Sequence, residues 1–365
     1  MLAPHALLHV DLTALKANYR SLVARAEGAE VAPAVKADAY GLGIGPTATA
    51  LWDAGARSFF VAQAQEAAIL RAALPEARIF VLNGPLPGEV EALKAGRIIP
   101  MINSLEQLNL WTAAAEGQAL ATAIHLDSGM SRLGLPPAEV EALADAPRLL
   151  DKLEVVLVAS HLASADDEAS PQTAEQSRAF MDLAERLPEA ARQAPRSLAN
   201  SSGIGSPAAP NLDLVRPGFA LYGGNPTPGR ANPMRSVVRL EAPVLQVRQV
   251  GPGTAVGYNA TYITNRPMRL ATLAIGYADG YDRSLSNRGR VTFAGLSAPI
   301  VGRISMDLTT VDVTAIAESA CRPGSLATLI GEDPSLDEVA AQADTIGYEI
   351  LARMSPRLQR LHKED

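Results

Sequence analysis

The segment Val31–Gly43, which reads VAPAVKADAYGLG, decides how we interpret the rest of the chain. It opens with a short apolar run, Val31–Val35, whose length and valine content are typical of a buried strand. Lys36 stands at the carboxyl end of this run, and two glycines then break the pattern before the next helix. Because parallel strands in α/β proteins carry their reactive side chains at that end, Lys36 is a candidate reactive group. Without further context, a surface lysine that packs its stem and keeps its charge in water is the simpler interpretation.

Length and composition limit the classes of protein to consider. A chain of 365 residues is too long for one ordinary core and predicts two domains, or a barrel with an appended domain. The net charge of −7 and the lack of basic runs argue against nucleic-acid and membrane-surface partners. Cys321 is the single cysteine, which excludes an intrachain disulfide and a cysteine zinc cluster, and we expect no metal site. No signal peptide or membrane span is apparent, so we expect a cytoplasmic protein.

Apolar and amphipathic segments alternate through the first part of the chain. After a short strand, Ala6–Val10, the segment Asp11–Ala26 places leucines and a tyrosine on one face and predicts a helix. We predict eight further strands, at Val31–Val35, Ser58–Ala62, Arg78–Leu82, Ile98–Ile102, Ala121–Leu126, Glu154–Ser160, Ser197–Ala199 and Leu212–Val215. Helices are predicted between them at Pro46–Ala54, Ala64–Ala73, Glu89–Ala95, Leu105–Glu116, Pro137–Ala144 and Ala174–Arg186. This alternation predicts an α/β fold, a TIM-like (β/α)8 barrel over residues 11–225.

The sequence pattern changes after the predicted barrel. A linker rich in Gly, Pro and Asn, Gly223–Pro233, is followed by short runs of β-branched and leucine residues separated by turns. We predict a mostly-β domain over residues 226–365, which the N-terminal strand, 1–10, is expected to join. The last segment, Leu336–Leu361, is predicted to be helical with a break near Ser355-Pro356.

Polar motifs follow several of the predicted barrel strands. HLDSGMSRLG (His125–Gly134), SHLAS (Ser160–Ser164), ANSSG (Ala199–Gly203) and RPGFALYGG (Arg216–Gly224) follow the fifth to eighth strands. With Lys36 they would place five polar clusters on one face of the barrel, where catalytic sites lie. The hydroxyl and amide groups of the last two motifs suit a phosphate site, which barrels often form after strands seven and eight.

The segment AVKADAYGLG resembles the pyridoxal-phosphate lysine motif of the alanine racemases. DSGMSRLG, SHLAS, NSSG, RPGFALYG, VGYNATY, IGYADGY, VGRISMD and IGYEIL match the same family in order and approximate spacing, across both predicted domains. The resemblance implies a cofactor, pyridoxal 5'-phosphate, and racemisation of L- and D-alanine by two bases, which in bacteria supplies D-alanine for peptidoglycan. It also implies a homodimer in which the β domain of each subunit completes the site of the other.

The resemblance assigns roles to individual residues. Lys36 would hold the cofactor covalently and act as one base, with Tyr258 as the second base on the opposite face of the substrate. His161 would contact Tyr258 and Arg216, and Arg216 would face the pyridine nitrogen. Arg132 would hold the cofactor's phenolic oxygen and, with the Met306 amide, the substrate carboxylate. The remaining cofactor-binding positions are Tyr40, Asn200, Ser201, Gly218, Phe219 and Tyr348; supporting or entrance positions are Asp307, Tyr277, Asp166, Arg283, Arg303 and Ile346.

One position departs from the family pattern. Members often carry a lysine, modified to a carbamate, seven residues before the arginine of DSGMSRLG, and this chain has His125 there. A histidine does not form a stable carbamate, so the negative partner of Arg132 is missing. A bound anion, a neutral His125 or a nearby carboxylate would have to replace it, and we expect bicarbonate not to stimulate activity.

Three alternatives to an alanine racemase remain open from the sequence. The nearest is a racemase of the same fold with broader specificity, serine above all, because discrimination against one added hydroxyl is only about a hundredfold. A second is a pyridoxal-phosphate barrel decarboxylase, against which Arg216 argues because those enzymes place a carboxylate there. A third is a non-catalytic pyridoxal-phosphate carrier, which would consist of the barrel alone and lack Tyr258.

Overall fold

The computed structural model describes residues 6–364 and begins with strand β1 (Leu7–Asp11) and helix α1 (Leu12–Arg25). The α1 helix starts where Asp11 caps it, because the Asp11 carboxylate accepts a hydrogen bond from the Ala14 N–H at 2.7 Å. Leu15, Tyr19 and Leu22 are buried along one face of the helix, as the sequence periodicity predicts. The first five residues of the predicted N-terminal segment and Asp365 lie outside the described residues.

Parallel strands then form a closed barrel. They are β2 (Glu30–Val31), β3 (Ser58–Val61), β4 (Arg78–Val81), β5 (Ile99–Ile102), β6 (Leu120–His125), β7 (Leu153–Ala159), β8 (Arg196–Asn200) and β9 (Leu214–Arg216). Their order in the sheet is β2-β9-β8-β7-β6-β5-β4-β3, and a parallel bridge between Ala34 and Phe60 joins its two ends. The predicted TIM-like barrel is therefore confirmed.

Helices cover the outside of this barrel. They are α3 (Ile44–Asp53), α4 (Ala64–Ala73), α5 (Val90–Ala95), α6 (Leu105–Ala113), α7 (Pro137–Asp145), α8 (Gln172–Arg186) and α9 (Glu189–Arg192). The short element α2 (Lys36–Gly41) differs from these helices, because its Lys36 and Tyr40 line a cleft. A separate apolar cluster fills the interior, where the rings of Phe60 and Phe80 stack at 4.6 Å between centroids. Turns rather than a helix lie between β8 and β9, in the segment that has room for only a short helix.

The second half of the chain is mostly strand. It contains β10 (Val238–Val250), β11 (Ala255–Val256), β12 (Tyr262–Ile263), β13 (Met268–Leu273), β14 (Arg290–Phe293), β15 (Leu296–Pro299), β16 (Thr309–Asp312), β17 (Leu326–Ile330), α10 (Leu336–Gln342), α11 (Gly347–Ala352) and β18 (Gln359–Lys363). The main sheet has the order β15-β14-β17-β10-β1-β18, and β13 pairs with both β10 and β16. In this sheet β1 is antiparallel to β10 and parallel to β18. A C-terminal mostly-β domain is thus confirmed as part of the fold class.

Two predicted elements differ from the structure. The predicted helical segment Leu336–Leu361 is correct only before its break near Ser355-Pro356, where it contains two short helices; its end is wrong, because it belongs to strand β18. Local sequence did not indicate this strand because its backbone is ordered by pairing with the distant β1. The predicted strand Val31–Val35 is assigned as regular strand only at Glu30–Val31. Its backbone hydrogen bonds nevertheless continue, from the Ala32 N–H to Val215 at 2.9 Å and from the Ala34 N–H to Pro217 at 2.8 Å. No helix within residues 6–364 combines the length and apolar character needed to cross a membrane.

Candidate active site

The carboxyl ends of the barrel strands surround a cleft of about 570 Å³. Its lining brings together residues from distant parts of the sequence, including every position named for cofactor binding: Lys36, Tyr40, Arg132, His161, Asn200, Ser201, Arg216, Gly218, Phe219 and Tyr348. No aspartate or glutamate from the described part of the chain lines this cleft. The cleft therefore presents cationic and hydroxyl groups, which suit an anionic ligand.

Lys36 is followed by an unusual backbone. Residues 37–40 all lie in the left-handed region, with φ between 53° and 56°, which costs an L-residue roughly 1–2 kcal/mol each. The Asp38 carboxylate accepts a hydrogen bond from the Ile44 N–H at 2.7 Å, and Glu66 accepts one from the Ala37 N–H at 2.6 Å. These carboxylates hold the strained turn in place, and the turn positions Lys36 and Tyr40 on the same cleft.

The amine of Lys36 is held in an environment that favours its neutral form. Burial lowers the pKa of Lys36, and the positive charges of Arg132 and Arg216 lower it further, while Glu66 acts in the opposite direction. A lysine with a depressed pKa is a nucleophile and a proton acceptor closer to neutral pH. Lys36 can therefore attach to a carbonyl group and accept a proton.

Hydroxyl and amide groups converge where a phosphate site is predicted. The Ser201 Oγ accepts hydrogen bonds from the N–H groups of Gly218 at 3.0 Å and Ala220 at 3.2 Å, which leaves the Ser201 hydroxyl proton for a ligand. Burial raises the pKa of Tyr40, and it raises the pKa of Tyr348 to about 12. Both phenols remain protonated at neutral pH and can donate to an anion.

Gly218 is required by this close packing. A Cβ added at Gly218 would lie 2.3 Å from the Tyr40 hydroxyl oxygen and 2.9 Å from the adjacent ring carbon. We expect Gly218→Ala to displace Tyr40 and to weaken binding of pyridoxal phosphate by about tenfold or more, as overpacking costs about 1–3 kcal/mol. Absorbance titration of the apoenzyme measures this change. Gly251→Ala, where a Cβ meets nothing within 4 Å, is the matched control. Unchanged affinity of the Gly218 variant would show that the tyrosine hydroxyl does not contribute to this site.

Arg216 is a buried residue of the cleft lining, and its hydrogen bonds within residues 6–364 include no acidic side chain. Its guanidinium donates hydrogen bonds to the Ser197 hydroxyl and the Ser160 carbonyl oxygen, with a longer contact of 3.5 Å to the Leu198 carbonyl oxygen. Burial lowers the pKa of Arg216 to about 10, so the group still carries its charge at neutral pH. The hydrogen bonds of Arg216 in residues 6–364 do not include His161, although both line the cleft.

Both histidines of the cleft are held neutral. Burial lowers the pKa of His161 well below its ordinary value, and the charges of Arg216, Arg132 and Lys36 act in the same direction. Burial and Arg216 together lower the pKa of His125 to about 4. A neutral imidazole keeps one nitrogen free to accept a hydrogen bond.

Arg132 lies on a loop that is anchored at its base. The Asp127 carboxylate accepts hydrogen bonds of 3.0 Å from three successive backbone N–H groups, at residues 129–131. The Leu135 N–H donates to the His125 carbonyl oxygen at 2.7 Å, which closes the loop onto the end of β6. Arg132 thus extends from a fixed loop toward the cleft while its own side chain is exposed.

The other named residues lie elsewhere in the described chain. Tyr258 is 69% exposed and Met306 is 54% exposed, and neither lines the cleft of its own subunit. The same holds for Asp307, Tyr277, Arg283 and Arg303, all in the β-rich half. Asp166 and Ile346 line a neighbouring cavity of about 320 Å³, which shares Phe219 and Tyr348 with the cleft. The rings of Phe219 and Tyr348 stack at 4.1 Å and separate the two spaces.

Sequence reasoning missed three residues that shape the site. Glu66 supports the backbone after Lys36, Tyr222 packs its ring 4.7 Å from that of Tyr40, and Asn103 contacts His125. The signal for Asn103 was present, since it directly follows a predicted barrel strand, and Tyr222 lies within the RPGFALYGG motif. Glu66 carries no local signal that distinguishes it from a helix-capping residue.

The residues present fit pyridoxal phosphate. The cleft offers an amine for its aldehyde, hydroxyl donors for its phosphate, and a guanidinium in place of a carboxylate for its ring. Apart from Lys36, the cleft contains no amine among the described residues. This chemistry agrees with the cofactor that the sequence motifs imply.

Comparisons with known proteins give the same result. A family model described as the alanine racemase N-terminal domain matches residues 10–226, and one for the C-terminal domain matches residues 237–362. A protein of Methylobacterium sp. strain 4-46 named alanine racemase is 49% identical over 99% of this chain and 98% of its own length. A protein of Agrobacterium fabrum, named "alanine racemase, catabolic", is 45% identical over 97% of this chain and 91% of its own length.

Solved structures extend this agreement to the fold. The crystal structure of alanine racemase from Bartonella henselae, with covalently bound pyridoxal phosphate, has a TM-score of 0.94 and 39% identity. The match covers 99% of this chain and all of that one. The biosynthetic alanine racemase of Pseudomonas aeruginosa has a TM-score of 0.92 at 34% identity, with 99% and 100% covered. The chain belongs to the alanine racemase family, whose enzymes depend on pyridoxal phosphate.

Proposed function

We propose that this chain interconverts L- and D-alanine, with pyridoxal phosphate bound at Lys36. The observation that carries this proposal is the cleft itself, in which a lysine of depressed pKa faces a buried arginine and no carboxylate among the described residues. The relatives named alanine racemase, which match nearly the whole chain, support alanine as the substrate. Bound pyridoxal phosphate supplies an electron-withdrawing ring that stabilises negative charge at the substrate Cα.

Lys36 would act on one face of the substrate. Once the substrate has displaced Lys36 from the cofactor, the free Lys36 amine would accept the Cα proton of one enantiomer or return a proton to that face. The low pKa that burial and Arg132 impose on Lys36 favours the neutral amine that this step requires. Racemisation needs a proton donor on the opposite face, so a second residue has to enter the cleft.

We assign this second role to Tyr258 from another subunit. Tyr258 is exposed and outside the cleft of its own chain, and Tyr277, Met306 and Leu308 are exposed on the same half of the molecule. Exposed apolar and aromatic side chains of this kind mark protein–protein contact surfaces. A homodimer would bring Tyr258 opposite Lys36, where its phenol gives a proton to one face and its phenolate takes it back in the reverse direction.

Arg132 and Met306 would hold the substrate carboxylate, one by charge and the other through its backbone amide. Asp307 would support this loop, since it forms an ion pair of 2.8 Å with Arg357. Ser201, Tyr40, Gly218, Phe219, Asn200 and Tyr348 would bind and enclose the phosphate. We assign the entrance to Tyr277, Arg283, Arg303, Ile346 and Asp166.

Arg216 would favour racemisation over other chemistry at the same cofactor. A permanent positive charge beside the pyridine nitrogen discourages its protonation and weakens the ring as an electron sink. Transamination and decarboxylation benefit from the stronger sink, and a carboxylate at this position would provide it. The hydrogen bonds from Arg216 to Ser197 and Ser160 fix the guanidinium in this place and argue against the decarboxylase alternative. His161 would hold Tyr258 and keep it close to the cleft.

The test is to incubate the protein and pyridoxal phosphate with L-alanine in D2O. We expect the Cα proton to be replaced by deuterium while D-alanine appears, since the proton leaves one face and solvent deuterium returns on the other. The same assay with serine sets the substrate range, and a CO2 assay with basic amino acids tests the decarboxylase. Absence of D-alanine despite a bound chromophore would refute the proposal and favour the carrier.

We further propose that the protein is a cytoplasmic homodimer and that it supplies D-alanine for peptidoglycan. In each subunit the boundary between the two domains would lie near residues 225–226. Because a racemase runs in either direction, the concentrations of the two enantiomers decide which is consumed. Relatives named catabolic are among those that match. Deletion of the gene tests the role: a requirement for added D-alanine during growth is expected, and normal growth would favour a catabolic role.

A further inference from the structure

The side-chain amide of Asn103 has one orientation in this structure. Its Nδ2 donates to the carbonyl oxygens of Leu82 at 3.1 Å and Met101 at 3.0 Å. If the amide were flipped, its oxygen would face these two oxygens, and both contacts would become repulsive. The Oδ1 atom of Asn103 therefore points in the remaining direction, toward His125.

Gln107 holds the same amide from a third side. The Oε1 of Gln107 accepts the backbone N–H of Asn103 at 2.9 Å and lies 3.2 Å from its Nδ2, while the Gln107 Nε2 donates to the Asn83 carbonyl oxygen at 2.8 Å. Each of these donors of Asn103 and Gln107 has a backbone or amide oxygen as its partner. Asn103 is also buried, with 6% exposure, so no solvent competes for its oxygen.

This orientation determines the protonation of His125. The His125 Nδ1 lies 2.7 Å from the Asn103 Oδ1, and an amide oxygen only accepts, so Nδ1 carries the hydrogen. Burial and the charge of Arg216 lower the pKa of His125 to about 4, and the imidazole is neutral at pH 7. Its Nε2 then has a lone pair and no hydrogen, and His125 lines the cleft.

We propose that Asn103 and His125 position Arg132: Asn103 fixes His125 as the Nδ1–H tautomer, and His125 Nε2 accepts a hydrogen bond from the Arg132 guanidinium. The inference rests on the proposed function, because Arg132 is assigned there to the substrate carboxylate. The Arg132 loop closes onto the His125 carbonyl oxygen through Leu135, and both side chains line the same cleft.

The surrounding charges make a neutral acceptor the suitable partner. Burial and the charges of Arg216 and Arg132 disfavour protonation of His125. Asp127 acts in the opposite direction, but its carboxylate already accepts hydrogen bonds from three backbone N–H groups. A protonated His125 would repel Arg132. The lone pair of His125 Nε2 is available at all pH values near neutrality. The His125–Arg132 pair therefore requires no carbamate and no added anion.

The first test measures the tautomer in the holoenzyme. In protein labelled with nitrogen-15 at its five histidines, long-range proton–nitrogen correlation distinguishes the two ring nitrogens, and His125→Gln assigns the signal. We expect the Nδ1–H tautomer for His125 throughout pH 6 to 9, and a mixture of tautomers in Asn103→Ala. An imidazolium or the Nε2–H tautomer in the wild type would overturn the proposal.

The second test follows Arg132 through substrate binding. His125→Phe keeps a ring but removes the acceptor, and we expect the KM for alanine to rise about tenfold with a smaller change in kcat, as expected for a lost hydrogen bond to a charged group. His125→Gln restores an acceptor and should recover part of the loss. Asn211→Ala removes a comparable hydrogen bond, from Nδ2 to the Arg25 carbonyl oxygen, and is the control for general destabilisation.

Separate outcomes identify which hypothesis fails. Equal KM values for the wild type and His125→Phe, with the cofactor bound in both, would overturn the positioning role, as would clear stimulation of the wild type by bicarbonate. A wild-type protein that forms no D-alanine refutes the proposed function instead, and the tautomer measurement still decides the orientation of the Asn103–His125 pair. The inference is supported if His125→Phe raises KM without changing the thermal stability and His125→Gln recovers part of that loss.

Discussion

Replacing Lys36 by alanine is expected to reduce racemisation at least about a thousandfold, because one change removes a proton acceptor and the covalent attachment of the cofactor. No other amine of the described residues lines the cleft, so no nearby side chain can substitute for it. Initial rates of D-alanine formation at saturating pyridoxal phosphate measure this loss. Added methylamine should restore a small part of the proton-transfer rate, since it supplies an amine without the tether.

Two further measurements separate chemistry from folding in this variant. The absorbance of the bound cofactor should change because the covalent attachment is lost, while the thermal midpoint should remain near the wild-type value. Lys152→Ala, at an exposed lysine outside the cleft, is the matched control and should retain full activity. A Lys36→Ala protein with more than a tenth of the wild-type rate would contradict the assignment of Lys36 as a base.

The location of Lys36 was accessible from the sequence because one rule connects pattern and position. Short runs of three to seven residues mark the predicted barrel strands, and the polar residue after each run lies at the catalytic face. This rule placed His161, Asn200 and Arg216 correctly on one cleft, although they come from different strands. It depends only on chain direction in a parallel sheet, so errors of one or two residues at strand ends do not affect it.

The conformation after Lys36 was not accessible in this way. Residues 37–40 have no glycine, and nothing in Ala-Asp-Ala-Tyr favours a left-handed turn over a right-handed one. The turn persists because Glu66 and the ring of Tyr222 stabilise it from outside, while its own Asp38 carboxylate binds the nearby Ile44 N–H. Glu66 and Tyr222 are distant in the sequence, and local propensity does not contain their contribution.

The contact between His125 and Asn103 was hidden for a related reason. The two residues are 22 positions apart and lie at the ends of neighbouring strands β5 and β6. The departure of His125 from the family motif was visible in the sequence, but its partner depends on which strands are adjacent. Likewise, strand β18 exists only because β1 offers it a free edge, and the local pattern alone predicted a helix there.

The position of Tyr258 leads to the second large effect that we expect. Tyr258→Phe removes the phenolic proton and should reduce racemisation by about a hundredfold to a thousandfold, in the range of general acid–base catalysis. In D2O, exchange of the Cα proton should then be observed without conversion of one enantiomer into the other. One enantiomer should still exchange its Cα proton through Lys36 without forming its mirror image, while exchange of the other should be slow.

Mixing this variant with Lys36→Ala tests whether Tyr258 acts across subunits. In a hybrid dimer, one cleft has both changes and the other has neither, because the Lys36→Ala chain lends its intact Tyr258 to the barrel of the Tyr258→Phe chain. Random exchange of equal amounts gives hybrids in half of the dimers, and total activity should return to about a quarter of the wild-type value. Mixing Lys36→Ala with a chain that carries both changes creates no intact cleft and is the control.

The exposure of Tyr258 explains why this result would be decisive. At 69% exposure and outside its own cleft, the side chain has no role within one chain that its packing would account for. If Tyr258 acted in its own subunit, every hybrid cleft would lack one base and activity would stay at the level of the single variants. Proven subunit exchange without recovery would therefore assign both bases to one chain and require the β domain to move Tyr258 toward Lys36.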